Sequence, residues 1–199
     1  MRTLAIETAG AACSIALIDG DVLVAERHEI VGRGHAERLI PWIAGLPDGG
    51  HAGQIVVGCG PGSFTGVRIG VAAARGLGLG WNVPVFGVSS LALLAIGCEA
   101  DFFTVAVEGG HGELFVQNYQ RRPFTQTSQV QSLTPGAAAA IALPLVIGSG
   151  AHRVVDARGS GEARDAVASA SAVNSIPAAL YLIPVRPIYG RSADAKLPA

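Results

Sequence analysis

Residues 59–70 of the chain read Cys-Gly-Pro-Gly-Ser-Phe-Thr-Gly-Val-Arg-Ile-Gly, and this stretch decides the fold. It follows the apolar run 55–57, which predicts a buried strand, and it opens a helix of small residues over 66–80. The clustered glycines and the proline indicate a tight turn, and Ser63 and Thr65 are suitable caps for the helix. A strand, a glycine-rich loop and a helix start can together hold an anion, but the same order also starts a rigid helix with no ligand.

Composition limits the class of protein. The chain has 199 residues, half of them apolar, which suits one large domain or two small ones with a substantial core. A net charge of −1 argues against a protein that grips nucleic acid alone, because phosphate contacts need clustered Lys and Arg. The three separated cysteines predict buried thiols in a reduced, cytoplasmic protein. An acid at Glu7 argues against a signal peptide, and no apolar run is long enough to span a bilayer.

Hydrophobic patterning predicts the same order of elements twice. The first series has three antiparallel strands within residues 1–28, followed by a helix over 35–46, a strand over 54–58, the helix over 66–80, a strand over 83–88 and a short helix to about residue 97. The second has strands over 102–107, 113–119 and 125–133, a helix capped by Thr134, a strand over 145–148, a helix over 160–173, a helical turn over 178–182 and a closing segment over 185–189.

The two βββαβα units make the order similar to the α/β, two-lobed actin/Hsp70-like (ASKHA) fold. On this interpretation residues 1–100 form the first lobe. Residues 101–199 form a second, reduced lobe, whose C-terminal segment returns to the first.

Four residues are candidates for contact with a nucleotide. Glu7 and Glu108 occupy matching hairpin ends, where they form either an acid–base pair across a cleft or separate surface and ion-pair residues. Gly148 and Gly150 either approach a ligand or form an ordinary turn after a strand. The histidines lack metal-ligand spacing, the chain has no Gly-x-Ser-x-Gly elbow and Ser63 has no local base, so we predict neither a metal site nor a catalytic residue.

The glycine-rich helix predicts a partner surface. Each interior glycine costs about 0.5–1 kcal/mol relative to alanine, and close approach of another helix offsets such a cost. Together with helix 35–46 it predicts an exposed apolar patch, in which Trp42 is either a contact or a core residue. The expected contact residues are His35, Leu39, Trp42, Ile43, Val67, Gly70, Val71 and Ala74. The loop itself is expected to be structural, through Gly60, Gly62, Ser63, Thr65, Gly66 and Arg68.

The unbroken run 60–70 resembles the signature of the TsaB (YeaZ) family, a subunit of the bacterial machinery that makes threonylcarbamoyladenosine in tRNA. Residues 4–9, 87–91, 112–115 and 186–189 fit the same family. The resemblance is strong over residues 1–95 and thin over 120–180.

This resemblance implies a non-catalytic subunit that pairs, through its first-lobe helices, with a TsaD-type subunit. The TsaD-type subunit transfers threonylcarbamoyl to an adenosine next to the anticodon. The resemblance also implies a TsaE-type ATPase as a further partner, a homodimer when the chain is alone, and tRNA contact only through the complex. No cofactor is expected, apart from ATP or ADP at a subunit interface.

An independent ATP-dependent phosphotransferase of the same fold is the alternative function. The duplicated hairpins favour it, whereas the short second lobe opposes it, as do glutamates at positions 7 and 108, where Asp is usual. His111 stands where the family often has Arg. A protease finds no support in any nucleophile–base or metal pattern.

Overall fold

The computed structural model describes residues 1–177 and 183–188. Its first half contains five strands: β1 (Arg2–Glu7), β2 (Ala12–Asp19), β3 (Val22–Ile30), β4 (Gln54–Gly58) and β5 (Val85–Val88). They form one sheet in the order β3-β2-β1-β4-β5. The strands β1, β2 and β3 are antiparallel, whereas β4 runs parallel to β1 and β5 parallel to β4.

Three α-helices cover the two faces of this sheet: α1 (His35–Ala44), α2 (Phe64–Trp81) and α3 (Ser90–Ala95). Side chains alternate between the faces of a strand, so Leu4 and Ile6 of β1 pack in one core with the inner sides of α1 and α2. Ala5 packs on the opposite face, in a core that contains α3 and residues of the second half of the chain. A 3₁₀ helix over Pro47–Gly50 follows α1.

The second half contains six strands: β6 (Phe102–Gly110), β7 (Glu113–Gln120), β8 (Thr125–Gln126), β9 (Gln131–Leu133), β10 (Leu145–Ile147) and β11 (Glu162–Arg164). They form a second sheet in the order β11-β10-β6-β7-β8, and β9 also pairs with β7. Here β6 and β7 are antiparallel, whereas β10 runs parallel to β6 and β11 parallel to β10. The α-helices of this half are α4 (Pro135–Ile141) and α5 (Ala151–Arg158). A 3₁₀ helix spans Ala170–Ser175.

The two sheets repeat one topology. In each, an antiparallel hairpin (β1–β2 or β6–β7) is extended on one side by further antiparallel pairing, long in the first sheet and short in the second. On the other side it is extended by two parallel strands, with a helix between those two strands. The structure therefore confirms the predicted actin/Hsp70-like fold built from duplicated units. The division into lobes near residue 100 stays a prediction.

The structure corrects two predictions in the second half. The prediction of a helix over 160–173 is wrong. Helix α5 lies before this range and ends at Arg158, because Gly159 caps it in the left-handed conformation. The chain then forms strand β11 and the 3₁₀ helix instead. The strand expected over 125–133 is interrupted and forms β8 and β9. The predicted segment 178–182 lies outside the described residues, as does residue 189.

Contacts within the chain explain why glycine occupies four positions between the end of β4 and the second turn of α2. The turn formed by Glu7, Thr8 and Ala9 after β1 occupies the space that a Cβ would need at each of them. The contacted groups are the Glu7 carboxylate, the Ala9 carbonyl, the Thr8 carbonyl and the Thr8 hydroxyl, and they face Gly58, Gly62, Gly66 and Gly70 in that order. Four glycines spaced four residues apart thus let the loop and helix lie directly on the turn.

Other glycines of α2 have no such internal reason. A Cβ at Gly76 or Gly80 would meet nothing within 4 Å, and both residues are exposed. They nevertheless carry the cost of glycine in a helix.

Alanine substitution should separate these two groups in the isolated chain. Gly70→Ala places a methyl group 2.5 Å from the Thr8 hydroxyl and should lower the free energy of unfolding by about 1–3 kcal/mol. Gly76→Ala fills open space and should raise it by about 0.5–1 kcal/mol. Urea denaturation measures both variants, and equal effects of the same sign would contradict this account of the glycines.

Candidate functional site

A cavity of about 300 Å³ lies between the two halves of the chain. Both predicted hairpin acids, Glu7 and Glu108, line it, together with the hydroxyl residues Ser63, Ser90 and Ser149. The two ends of the duplicated hairpins therefore meet at one cleft.

Glu7 forms part of the cleft floor and is 1% exposed. One carboxylate oxygen, Oε1, accepts a hydrogen bond from the Ala9 amide at 2.5 Å, and Oε2 accepts one from the Ser90 hydroxyl at 2.7 Å. Burial raises the pKa of Glu7 above its ordinary value, whereas the hydrogen bonds from Ser90 and from the backbone oppose that rise. The carboxylate is thus tied to its surroundings at both oxygens.

Glu108 is also engaged. Its Oε2 lies 2.8 Å from an Arg153 guanidinium nitrogen, and its amide donates to the Ser149 hydroxyl at 3.1 Å. Among the described residues that line the cavity, none is Lys or Arg. A bound triphosphate would therefore face two acids and no cationic side chain there.

Gly148 and Gly150 lie in the loop between β10 and α5, where they pack on β6. The Ala106 carbonyl lies close to the Cβ position of both glycines, and Gly148 also has a positive φ of 112°. The Gly150 amide donates to the Ala106 carbonyl at 3.0 Å. These glycines therefore serve the contact between loop and strand, and their approach to a ligand stays a prediction.

The eight predicted contact residues on α1 and α2 mostly face inward. His35, Leu39, Ile43, Val67, Gly70, Val71 and Ala74 are buried against the first sheet, and only Trp42 is partly exposed. The imidazole of His35 lies 3.2 Å from the Ala12 carbonyl oxygen. The expectation that these side chains form an exposed patch is corrected, because apolar residues at helical spacing mark the side that packs on the chain's own core.

The loop residues behave mainly as structural elements. Gly60 has the positive φ, of 86°, and the Ser63 hydroxyl caps α2 by accepting the Gly66 amide at 3.2 Å. Thr65 lies inside the first turn of α2, which begins at Phe64 behind the Ser63 cap, so the expectation that Thr65 caps the helix is wrong. The Arg68 guanidinium lies 3.3 Å from the centre of the Phe64 ring.

Sequence reasoning missed the outward sides of α1 and α2. We define the outer face as Ala36, Ile40 and Ala44 of α1 with Ala72, Gly76, Leu79 and Gly80 of α2, all of which are exposed. Ile40 is 49% exposed and Leu79 is 86% exposed. The signal that could have found this face was the small size of its other members, which leaves the helix backbones accessible.

Two other kinds of centre, a metal site and an activated Ser14, find no support among the described residues. No group of three or more His, Cys, Asp and Glu side chains among them could hold a metal ion. His28 contacts the hydroxyl of Ser14 at 3.0 Å, but Ser14 is fully buried and its hydroxyl accepts the Ala170 amide, so it cannot attack a substrate. Within residues 1–177 and 183–188, no helix is long and apolar enough to cross a membrane.

Sequence comparisons agree with this architecture. A family model described as "TsaD: tRNA N6-adenosine threonylcarbamoyltransferase" matches residues 28–132, slightly more than half of the chain. The chain is 40% identical over 130 residues to the tRNA threonylcarbamoyladenosine biosynthesis protein TsaB of Escherichia coli, covering 61% of this chain and 56% of that protein. It is 41% identical over 100 residues to TsaB of Bacillus subtilis, covering 48% and 44%. The matched region thus spans about half the length of these relatives.

Structural comparisons cover more of the chain. A Pseudomonas aeruginosa protein described as similar to peptidase YeaZ aligns with a TM-score of 0.77 at 28% identity, over 96% of this chain and 99% of that one. YeaZ from Pseudomonas aeruginosa aligns with a TM-score of 0.73 at 27% identity, over 87% and 89%.

The duplicated sheets and the cleft between them define a protein of the actin-like fold class. Within that class, the chain belongs to the TsaB (YeaZ) family.

Burial of Glu7 predicts a pH dependence of stability. A carboxyl whose pKa is raised in the folded state stabilises the fold below its unfolded pKa of about 4.5, and this contribution is lost as pH rises through the folded value. The loss approaches about 1.4 kcal/mol per pH unit for one proton. Glu7→Gln should therefore gain stability relative to the wild type as pH rises from 4 to 8 in urea denaturation.

The control is Glu37→Gln, the same substitution on the exposed side of α1, which accounts for the general effect of losing one charge. A stability difference between wild type and Glu7→Gln that stays constant across this pH range would show that Glu7 does not titrate as its burial requires.

Proposed function

We propose that this chain is a non-catalytic subunit of the machinery that makes threonylcarbamoyladenosine in tRNA. It acts by docking a TsaD-type catalytic subunit on the outer face of α1 and α2. Membership of the TsaB (YeaZ) family supports the pathway, since the named relatives are threonylcarbamoyladenosine biosynthesis proteins.

The observation that carries the docking role is the open space beside Gly76 and Gly80. These glycines weaken α2, and no contact within the described chain needs their missing side chains. A second helix packed on the outer face would use the space, because small residues let helix backbones approach closely. The exposed Leu79 and Ile40 supply apolar area for such a contact.

The cleft supports a role without chemistry of its own. Both of its carboxylates are occupied by contacts within the chain, and the described lining supplies no cation for a phosphate. We therefore assign the transfer reaction to the TsaD-type partner. A TsaE-type ATPase is the third protein of this machinery. The chain would meet tRNA only through this complex, in the cytoplasm, and would form a homodimer when alone.

Reconstituted threonylcarbamoyl transfer to tRNA tests the function. The assay contains a TsaD-type subunit, a TsaE-type ATPase and preformed threonylcarbamoyl-adenylate, with and without this chain. Modification should appear only when the chain is present. Equal modification without it would contradict the proposed function.

A charge on the outer face should abolish docking without unfolding the chain. Ala72 is exposed, so Ala72→Arg should leave the melting temperature nearly unchanged but weaken binding to the TsaD-type subunit at least about 30-fold, because the charge would be buried unpaired in the complex. Calorimetric titration measures the affinity.

The matched control is Ala157→Arg, the same substitution at an exposed position of α5. It should change the affinity less than about twofold. Similar losses for both variants would argue against the outer face as the docking site.

A further inference from the structure

The cleft floor is connected by hydrogen bonds to the start of the helix that carries the outer face. Ser90, the first residue of α3, joins the two: its hydroxyl donates to Glu7 Oε2 at 2.7 Å and accepts the Gly60 amide at 3.1 Å. The Ser90 amide donates to the Gly60 carbonyl at 3.0 Å. The first residue of the 60–63 loop is therefore held by Ser90 from both its amide and its carbonyl.

The other end of the loop is held by the turn after β1. The Ser63 amide donates to the Ala9 carbonyl at 2.7 Å, while the Ala9 amide donates to Glu7 Oε1 at 2.5 Å. One turn further along α2, the Thr8 hydroxyl donates to the Gly66 carbonyl at 2.7 Å. The Glu7 carboxylate thus contacts both residues that hold the loop: Ser90, which binds Gly60, and Ala9, which binds Ser63.

Space around Glu7 leaves the carboxylate little room to move. A Cβ at Gly58 would collide with its Oε2 and with the Ser90 hydroxyl, so the absence of a side chain at Gly58 makes room for this arrangement. Burying a carboxylate costs free energy that an apolar side chain of the same volume would not. A buried carboxyl group retained at that cost favours a role in fixing one conformation rather than in adding stability.

We propose that Glu7 and Ser90 are positioning residues for the docking surface: they fix the 60–63 loop and so the place where α2 begins. This inference rests on the proposed function for the identity of the partner, but its structural part concerns the isolated chain alone. Loss of either side chain should loosen the first turns of α2, where Phe64 and Arg68 lie, before it affects the second sheet.

Ser14 offers a matched control for Ser90. Both serines are buried, and each hydroxyl accepts one backbone amide, from Ala170 at 2.9 Å and from Gly60 at 3.1 Å respectively. Each hydroxyl also makes a side-chain contact, Ser14 with His28 and Ser90 with Glu7. The 3₁₀ segment that Ser14 holds does not lead into α2.

The experiment compares Ser90→Ala, Glu7→Gln and Ser14→Ala by hydrogen–deuterium exchange and by affinity for the TsaD-type subunit. Ser90→Ala and Glu7→Gln should each accelerate amide exchange over residues 62–68 by about tenfold or more, and Ser14→Ala by less than about twofold. Ser90→Ala and Glu7→Gln should also weaken binding to the TsaD-type subunit by about fivefold or more. Ser14→Ala should leave this affinity unchanged, even if it lowers the melting temperature by a similar amount.

Unchanged exchange over 62–68 in Ser90→Ala and Glu7→Gln would overturn the inference. So would faster exchange with undiminished affinity, because the surface would then not depend on where α2 begins. If the wild-type chain fails to bind the TsaD-type subunit at all, the proposed function fails. The exchange measurement then decides by itself whether Glu7 and Ser90 fix the start of α2.

Discussion

The contact between the Glu7–Thr8–Ala9 turn and the glycines of the loop and α2 is the constraint on which the rest of the structure depends. It fixes how closely α2 lies on β1, and a side chain at any of the four facing positions would collide with the turn. The helix start, the cleft floor and the position of the outer face all follow from this contact. The second half of the chain has a smaller version, in which Gly148 and Gly150 let the loop before α5 lie on β6.

The glycines of helix α2 therefore have two different roles. Gly66 and Gly70 accommodate the chain's own turn, whereas Gly76 and Gly80 leave space that the described chain does not use. The same helix is fixed firmly at its start and left accessible further along. On the proposed function this arrangement suits a subunit that supplies a rigid surface to a catalytic partner, and both carboxyl groups of the cleft make contacts within the chain.

Local patterns predicted most of the fold. Long alternating strands, the glycine loop, the Ser63 cap and the Thr134 cap with Pro135 behind it are all short-range signals. Strand β11 was missed because three residues are too few to show alternation, and it forms through pairing with β10. Helix α5 was missed because only Ala151 and Val154 are buried along it.

At the site, the helical periodicity of apolar residues selected Leu39 and Val71, which pack inward. No sequence signal distinguishes Gly70 from Gly76, because the two glycines differ only in the atoms that lie beside them in the folded chain.

Covalent capture of the TsaD-type partner shows whether it docks on the outer face. A photoreactive phenylalanine analogue is placed either at Leu79, on the outer face, or at Phe102, an exposed apolar residue at the start of β6 in the second sheet. Both chains are irradiated with the TsaD-type subunit, and the cross-linked product is measured by mass spectrometry. If the partner docks on the outer face, a cross-link forms from position 79 and none forms from position 102. Capture from position 102 alone would contradict it and move the docking site to the second sheet.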